Sequence, residues 1–102
     1  MTVAVIFTSR LAVPHDEEYA ELSARMGDLV DAQPGFISRI SVRDPHTRVG
    51  ITVAYFEDEA SVRSWKRHPE HAEAQRRGWE DLYAEYHVTV AEVTRQYDGP
   101  RT

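Results

Sequence analysis

The sequence predicts an α+β domain with the ferredoxin-like order strand, helix, strand, strand, helix, strand, βαββαβ. Three observations carry this. The chain opens on a β-branched and aromatic run, Val3 to Phe7; apolar residues then recur at helical spacing; and two strand-like runs follow, joined by the turn-forming stretch Asp44-Pro45-His46-Thr47. At 102 residues there is room for one core, so residues 1–97 are expected to form a single domain and 98–102 a short tail.

Val3 to Leu11 reads as a strand buried on both faces, closed by Pro14. From His15 to Gln33, Tyr19, Leu22, Met26 and Leu29 fall three and four apart, and Asp16, Glu17 and Glu18 stand in the first turn, where carboxylates suit the helix dipole. Pro34-Gly35 stops that helix. Phe36 to Arg43 alternates, with Phe36, Ser38, Ile40 and Val42 on one side and Ile37, Arg39, Ser41 and Arg43 on the other. Val49 to Phe56 completes a hairpin with it. Glu57-Asp58-Glu59 opens a helix with Val62 and Trp65 on its apolar side, and Pro69 breaks or restarts it. The spacing of Ala72, Gln75, Trp79, Leu82, Tyr83 and Tyr86 predicts helix from His68 to Tyr86, with Gly78 costing about 1 kcal/mol relative to Ala. Val88 to Tyr97 alternates as a last strand.

Helices cover one face of such a sheet. The other would stay bare, although Ile40, Val42, Ile51, Val53 and Tyr55, with Phe36, point apolar groups outward in a consistent direction. A second copy of the chain would remove that surface from water, so a homodimer is expected. The net charge of −5 arises from 17 acidic and 12 basic residues spread along the chain, which argues against nucleic-acid binding. No apolar run approaches the roughly 20 residues that span a bilayer, and no signal-peptide pattern opens the chain. The lack of cysteine excludes thiolate chemistry and disulfides and suits the cytoplasm.

The densest polar and aromatic stretch is Trp65-Lys66-Arg67-His68-Pro69-Glu70-His71, continuing to Gln75, Trp79 and Tyr83. His68 and His71 could ligate a metal or a heme iron, or could simply be solvated or capping residues at a helix start. Trp65 and Trp79 suit either a pocket for a planar ligand or plain core, and Tyr55, Tyr83 and Tyr86 share that ambiguity. Ser9 and Arg39 are the candidates for polar groups facing a cavity; an interior arginine needs a carboxylate or a bound anion. Phosphate loops, Ser-His-Asp signatures and HExxH are absent.

Pro34-Gly35-Phe36, the run Ile51 to Glu59, Trp65 to His71 with Ala74-Gln75, and Tyr83-x-x-Tyr86 leading into Val93-x-Arg95-x-Tyr97 together resemble the antibiotic-biosynthesis-monooxygenase-like domains. The resemblance implies a dimeric α/β barrel and, in many members, oxidation of a polycyclic phenol or quinol by molecular oxygen without metal or flavin. There the substrate supplies the electrons, and the protein supplies a dry pocket, a tryptophan wall and hydrogen bonds to the substrate anion. Trp65 sits where the family's pocket tryptophan lies. Heme-degrading relatives carry an Asn near the end of strand one and a His beyond the tryptophan, where this chain has Ser9 and Gln75; Leu82 replaces a tryptophan found before the tyrosine in similar sequences.

The expected function is therefore a small monooxygenase acting on an aromatic or polyketide-like substrate without a bound cofactor. Trp65, His68 and His71 would be catalytic, and Ser9, Arg39, Tyr55, Gln75, Trp79 and Tyr83 substrate-binding. The alternatives are a heme-binding or heme-degrading protein using His68 or His71, and a non-catalytic dimer that binds a small ligand.

Overall fold

The computed structural model describes residues 1–12 and 16–99. Its elements run β1 (Val3–Leu11), α1 (Asp16–Asp31), β2 (Phe36–Arg43), β3 (Val49–Phe56), α2 (Glu59–Arg67), α3 (Pro69–Arg77), one π-helical turn (Gly78–Leu82) and β4 (Tyr83–Glu92). The first three strands keep the bounds read from the sequence. The expected end of β1 at Pro14 and start of α1 at His15 lie outside the described residues.

Local chemistry sets the boundaries of the helices. Gly35 takes φ +84°, and a Cβ there would collide with the Ser61 side chain, so only glycine permits the chain to enter β2 so close to α2. Asp58 caps α2 by accepting the Ser61 N–H at 2.8 Å. His68 serves two helices: its N–H donates to the Trp65 carbonyl at 3.1 Å, ending α2, and its Nδ1 accepts the Glu70 N–H at 3.2 Å, opening α3. Pro69 follows at the first helical position, where no N–H is needed.

The second helical region differs from the expectation of helix through Tyr86 followed by a strand from Val88 to Tyr97. The chain instead leaves α3 at Gly78, widens into the π turn and pairs as β4 from Tyr83, opposite Leu11, with Tyr86 opposite Ser9. Trp79, Leu82, Tyr83 and Tyr86 satisfy a helical repeat, but the ladder bonds to β1 decide. Regular pairing ends at Glu92; the Val93 N–H still donates to the Thr2 carbonyl at 2.9 Å, and the chain to Gly99 carries no ladder.

All strand pairs are antiparallel, in the order β2-β3-β1-β4. Val3, Val5, Phe7 and Ser9 of β1 face the helices, with Phe56 and Leu82 buried beneath them. Phe36 is a second departure. A bulge at Ile37 pairs Phe36 with Phe56 and Ser38 with Tyr55, which turns Phe36 to the helix side, edge-on to Phe56 at 5.7 Å. The opposite face keeps Ile40, Val42, Val49 and Ile51 at 66, 61, 46 and 40% exposure. Helices α1 and α3 are bound by the ion pairs Arg25–Glu70 and Arg77–Glu18, around a groove of about 400 Å³ floored by Leu22, Met26 and Ala74.

Candidate active site

The break between α2 and α3 folds three predicted residues onto one another. The rings of Trp65 and His71 stack at 4.1 Å and 11°, and His68 lies 5.7 Å from Trp65. His71 Nδ1 is 3.0 Å from the Trp65 carbonyl. A carbonyl only accepts, so Nδ1 carries the proton and the lone pair of the neutral ring sits on Nε2. Burial pushes the His71 pKa below the ordinary imidazole value, overriding the opposing pull of that carbonyl. His71 is thus a neutral imidazole with its basic nitrogen facing away from its anchor. His68 is arranged the other way round: its Nδ1 lone pair is used in the cap, so a neutral His68 carries its proton on Nε2.

His71, Gln75 and Gly78 follow at four and three residues and share one side of α3. At the far end of this stripe a Cβ on Gly78 would fall 2.6 Å from the Tyr83 ring, so Tyr83 packs directly on the helix backbone. Tyr83 meets Phe7 at 5.4 Å and Tyr19 at 6.0 Å, and Tyr86 stacks on Trp79 at 6.0 Å and on Phe7 at 6.2 Å. Burial, reinforced by Tyr19, raises the Tyr83 phenol pKa and keeps it a neutral hydrogen-bonding group. The structure therefore gathers Trp65, His68 and His71 at one end, Tyr83 and Trp79 at the other, and Gln75 between them.

Two predicted substrate-binding residues lie elsewhere. Tyr55 pairs with Ala4 and Ser38 and points to the face away from the helices, because strand residues alternate and its neighbour Phe56 takes the helix side. Arg39 faces the helices, but it is committed to Asp31 through two hydrogen bonds of 2.9 and 3.2 Å. That pairing holds the Asp31 carboxyl below its usual range.

Arg43, by contrast, has no carboxylate partner among the described residues. Tyr86, Ser9, Gly50 and Arg43 form one row across all four strands on the helix-facing side. Because Gly50 has no side chain, Arg43 lies flat across it, with its guanidinium carbon 2.5 Å from where a Cβ would stand. From there it donates to Ser9 Oγ at 2.8 Å, the Ser9 carbonyl at 3.2 Å, the Arg48 carbonyl at 2.6 Å and Tyr19 Oη at 3.1 Å, and it covers the Tyr19 ring at 5.0 Å. Arg48 turns its carbonyl inward from a left-handed backbone, φ 66°, which its own side chain secures on Asp16 and on the Leu11 and Ala12 carbonyls. Strand alternation places Arg43 and Arg39 on the same face, but no pattern in the sequence reveals which of them meets a carboxylate. Tyr19 reads there as helix stripe, and Gly50 as an ordinary strand glycine.

Among the described residues no cluster of three or more His, Asp or Glu side chains is placed to hold a metal ion, and no helix is long and apolar enough to cross a membrane. Of the two histidines, His71 is the one fitted to ligate iron: its Nε2 offers a lone pair while Nδ1–H is held by a carbonyl.

Residues 2–77 match the family model for antibiotic biosynthesis monooxygenase. The uncharacterized protein YqjZ of Bacillus subtilis is 41% identical over 93 residues, which span 91% of this chain and 80% of that protein. Among solved structures, Rv0793 of Mycobacterium tuberculosis superposes with a TM-score of 0.84 at 15% identity, covering 96% of this chain and 100% of that one. SnoaB, a cofactor-independent oxygenase from Streptomyces nogalater, gives 0.74 at 18% identity, with 93% and 95% covered. Both likenesses concern the fold, and its strand order is the ferredoxin-like one that the alternating runs predict. With three quarters of its length matched by that model, the chain belongs to the antibiotic biosynthesis monooxygenase family.

Proposed function

We propose that the protein is a monooxygenase that oxidises an aromatic or polyketide-like phenol with molecular oxygen, without a bound metal or flavin, and that it works as a homodimer. The observation that carries this reading is the Trp65–His71 pair: a neutral, half-buried imidazole with a free Nε2, laid against a tryptophan ring that can stack on a planar substrate. Family membership and the likeness to SnoaB support it.

In this reading His71 Nε2 accepts the phenolic proton. The phenolate passes one electron to O2, the resulting radical pair joins at a ring carbon that bears hydrogen, the peroxide anion takes the proton back from His71, and the hydroperoxide loses water to leave a quinone. One oxygen atom enters the product, the other leaves as water, and the substrate supplies all the electrons. Trp65 and the Tyr83–Tyr86–Trp79 group stack on the ring, and Gln75 lies between them as a hydrogen-bonding group. Oxygen uptake across a panel of hydroxylated polycyclic substrates tests the proposal. Consumption of one O2 per substrate, abolished in Trp65→Ala with the oligomer intact, supports it, whereas turnover undiminished in that variant removes Trp65 from the site.

The free Nε2 of His71 favours one second reading, in which that nitrogen holds a heme iron. Hemin titration of the wild type, His68→Ala and His71→Ala separates the two. Saturable binding lost only in His71→Ala selects the heme reading, and the absence of saturable binding removes it and leaves the oxygenase and the non-catalytic dimer for the oxygen-uptake assay to separate.

A further inference from the structure

We propose that residues 93–97 form an arm that leaves its own sheet and adds as a strand to the free edge of β2 in a second copy of the chain, so that two exchanged arms close the homodimer. This rests on the homodimer in the reading above and adds the contact that ties the two sheets together. Val93-Thr94-Arg95-Gln96-Tyr97 continues the alternation of β4 and carries β-branched and aromatic residues suited to a strand, yet it has no ladder. The Val93 N–H donates to the Thr2 carbonyl at 2.9 Å, and beyond that bond the arm runs past β1, whose pairing with β4 starts at Val3. Tyr97 is 84% exposed, more than any other large apolar side chain among the described residues. A strand-patterned segment with free backbone groups and a bare tyrosine is a template for pairing with another chain.

Strand order and direction choose the edge that receives it. β2 and β4 are the two edges of the sheet and, being three antiparallel pairings apart, run antiparallel to each other. A two-fold axis parallel to the strands lays the bare faces on one another, preserves strand direction and brings β4 of one copy over β2 of the other, antiparallel to it. That edge is unguarded. Beyond the bulge at Ile37, β2 has neither Pro nor Lys; Arg39 and Arg43 turn toward the helices, and the outer side carries Ser38, Ile40 and Val42 without a charge. Side-chain parity agrees. Continued alternation puts Val93, Arg95 and Tyr97 on the side of Ala91, away from the helices, which is also the side of Ile40 and Val42. Val93 and Tyr97 therefore enter the space between the sheets beside Ile40 and Val42 of the second copy, while the long Arg95 stem carries its guanidinium to the rim. Because Val93 turns its N–H to β1, Thr94 and Gln96 present theirs to the free side, where the receiving β2 lies.

Residue-resolved amide hydrogen exchange on the full chain tests the arm, with light scattering in the same buffer giving the mass. Relative to their free-chain rates, the Thr94 and Gln96 amides of the dimer are expected to exchange at least about tenfold more slowly than those of Arg95 and Tyr97, which face the other way. The difference should vanish when the protein is diluted to monomer. Thr94→Pro with Gln96→Pro removes both donors and is expected to raise the dimer dissociation constant at least about tenfold, whereas Thr94→Ala with Gln96→Ala keeps both N–H groups and leaves it close to that of the wild type. Should the proline variant fail to fold, the exchange pattern of the wild type decides alone. A dimer in which Thr94 and Gln96 exchange as fast as Arg95 and Tyr97 overturns the arm and keeps the homodimer. A wild type that is monomeric at every concentration removes the homodimer and the arm with it. Protection that persists in the diluted monomer means that the arm is held by its own chain, and it overturns the proposal.

Discussion

At the scale of single residues, the proposed chemistry turns on a proton held on one nitrogen of His71. If His71 is the base, the rate with a phenolic substrate is constant above the ordinary imidazole value of 6.5 and falls only at lower pH, because burial depresses the pKa of this ring. In His71→Asn that acidic limb disappears along with most of the rate, by roughly the 10²–10⁴-fold a general base supplies. A pH–rate profile of both proteins checks this. The same burial makes a stability prediction. The folded-state value lies below the unfolded one, so the unfolded chain binds more protons in mild acid. The contribution of neutral His71 is therefore complete above the ordinary value of 6.5 and is lost as the pH falls from there toward the folded value. Urea melts between about pH 7 and pH 5 show that slope in the wild type and a weaker one in His71→Gln. The Trp65–His71 cluster was legible in the sequence because its members lie within one turn of a helix break. The Arg43 row was not, since it joins residues 9, 43, 50 and 86 from four different strands, and only the register brings them into line.

At the scale of elements, the exit from α3 is the place where local pattern and tertiary structure disagree. Trp79, Leu82, Tyr83 and Tyr86 fit a helical repeat, yet Tyr83 and Tyr86 are needed as strand residues, on Phe7 and opposite Ser9. By contrast, β2 and the start of β3 were legible to the residue, because Pro34-Gly35 and Asp44-Pro45 fix their limits. Gly78 measures the conflict. Its backbone is right-handed helical, so alanine there would gain up to about 1 kcal/mol in propensity. The added Cβ would press on the Tyr83 ring at 2.6 Å, and overpacking costs about 1–3 kcal/mol. The steric cost outweighs the gain in propensity, and Gly78→Ala is expected to be destabilised by about 1 kcal/mol net, measurable by denaturant melts, with near-UV circular dichroism reporting the displaced tyrosine.

At the scale of the whole molecule, the sheet has one face packed against the helices, with Tyr86, Val88 and Val90 of β4 left half exposed at its edge, and one that carries Ile40, Val42, Val49 and Ile51 in the open. A second copy of the chain laid on that face would bury all four, and light scattering of the wild type is then expected to give the mass of two chains. Ile40→Lys with Val42→Lys should give one, because two unpaired ammonium groups cannot be buried cheaply on each side. A wild-type monomer would contradict this. The site lies on the other face, so monomeric variants should keep His71 stacked on Trp65.

The most direct test of the proposed activity is oxygen consumption by purified protein with a hydroxylated polycyclic substrate, measured in parallel for wild type, Trp65→Ala and His71→Asn. The expected result is one O2 consumed per substrate in the wild type without added metal, flavin or reductant, and rates close to the uncatalysed one in both variants. Wild-type uptake no faster than the uncatalysed reaction, or uptake undiminished in the two variants, would contradict it.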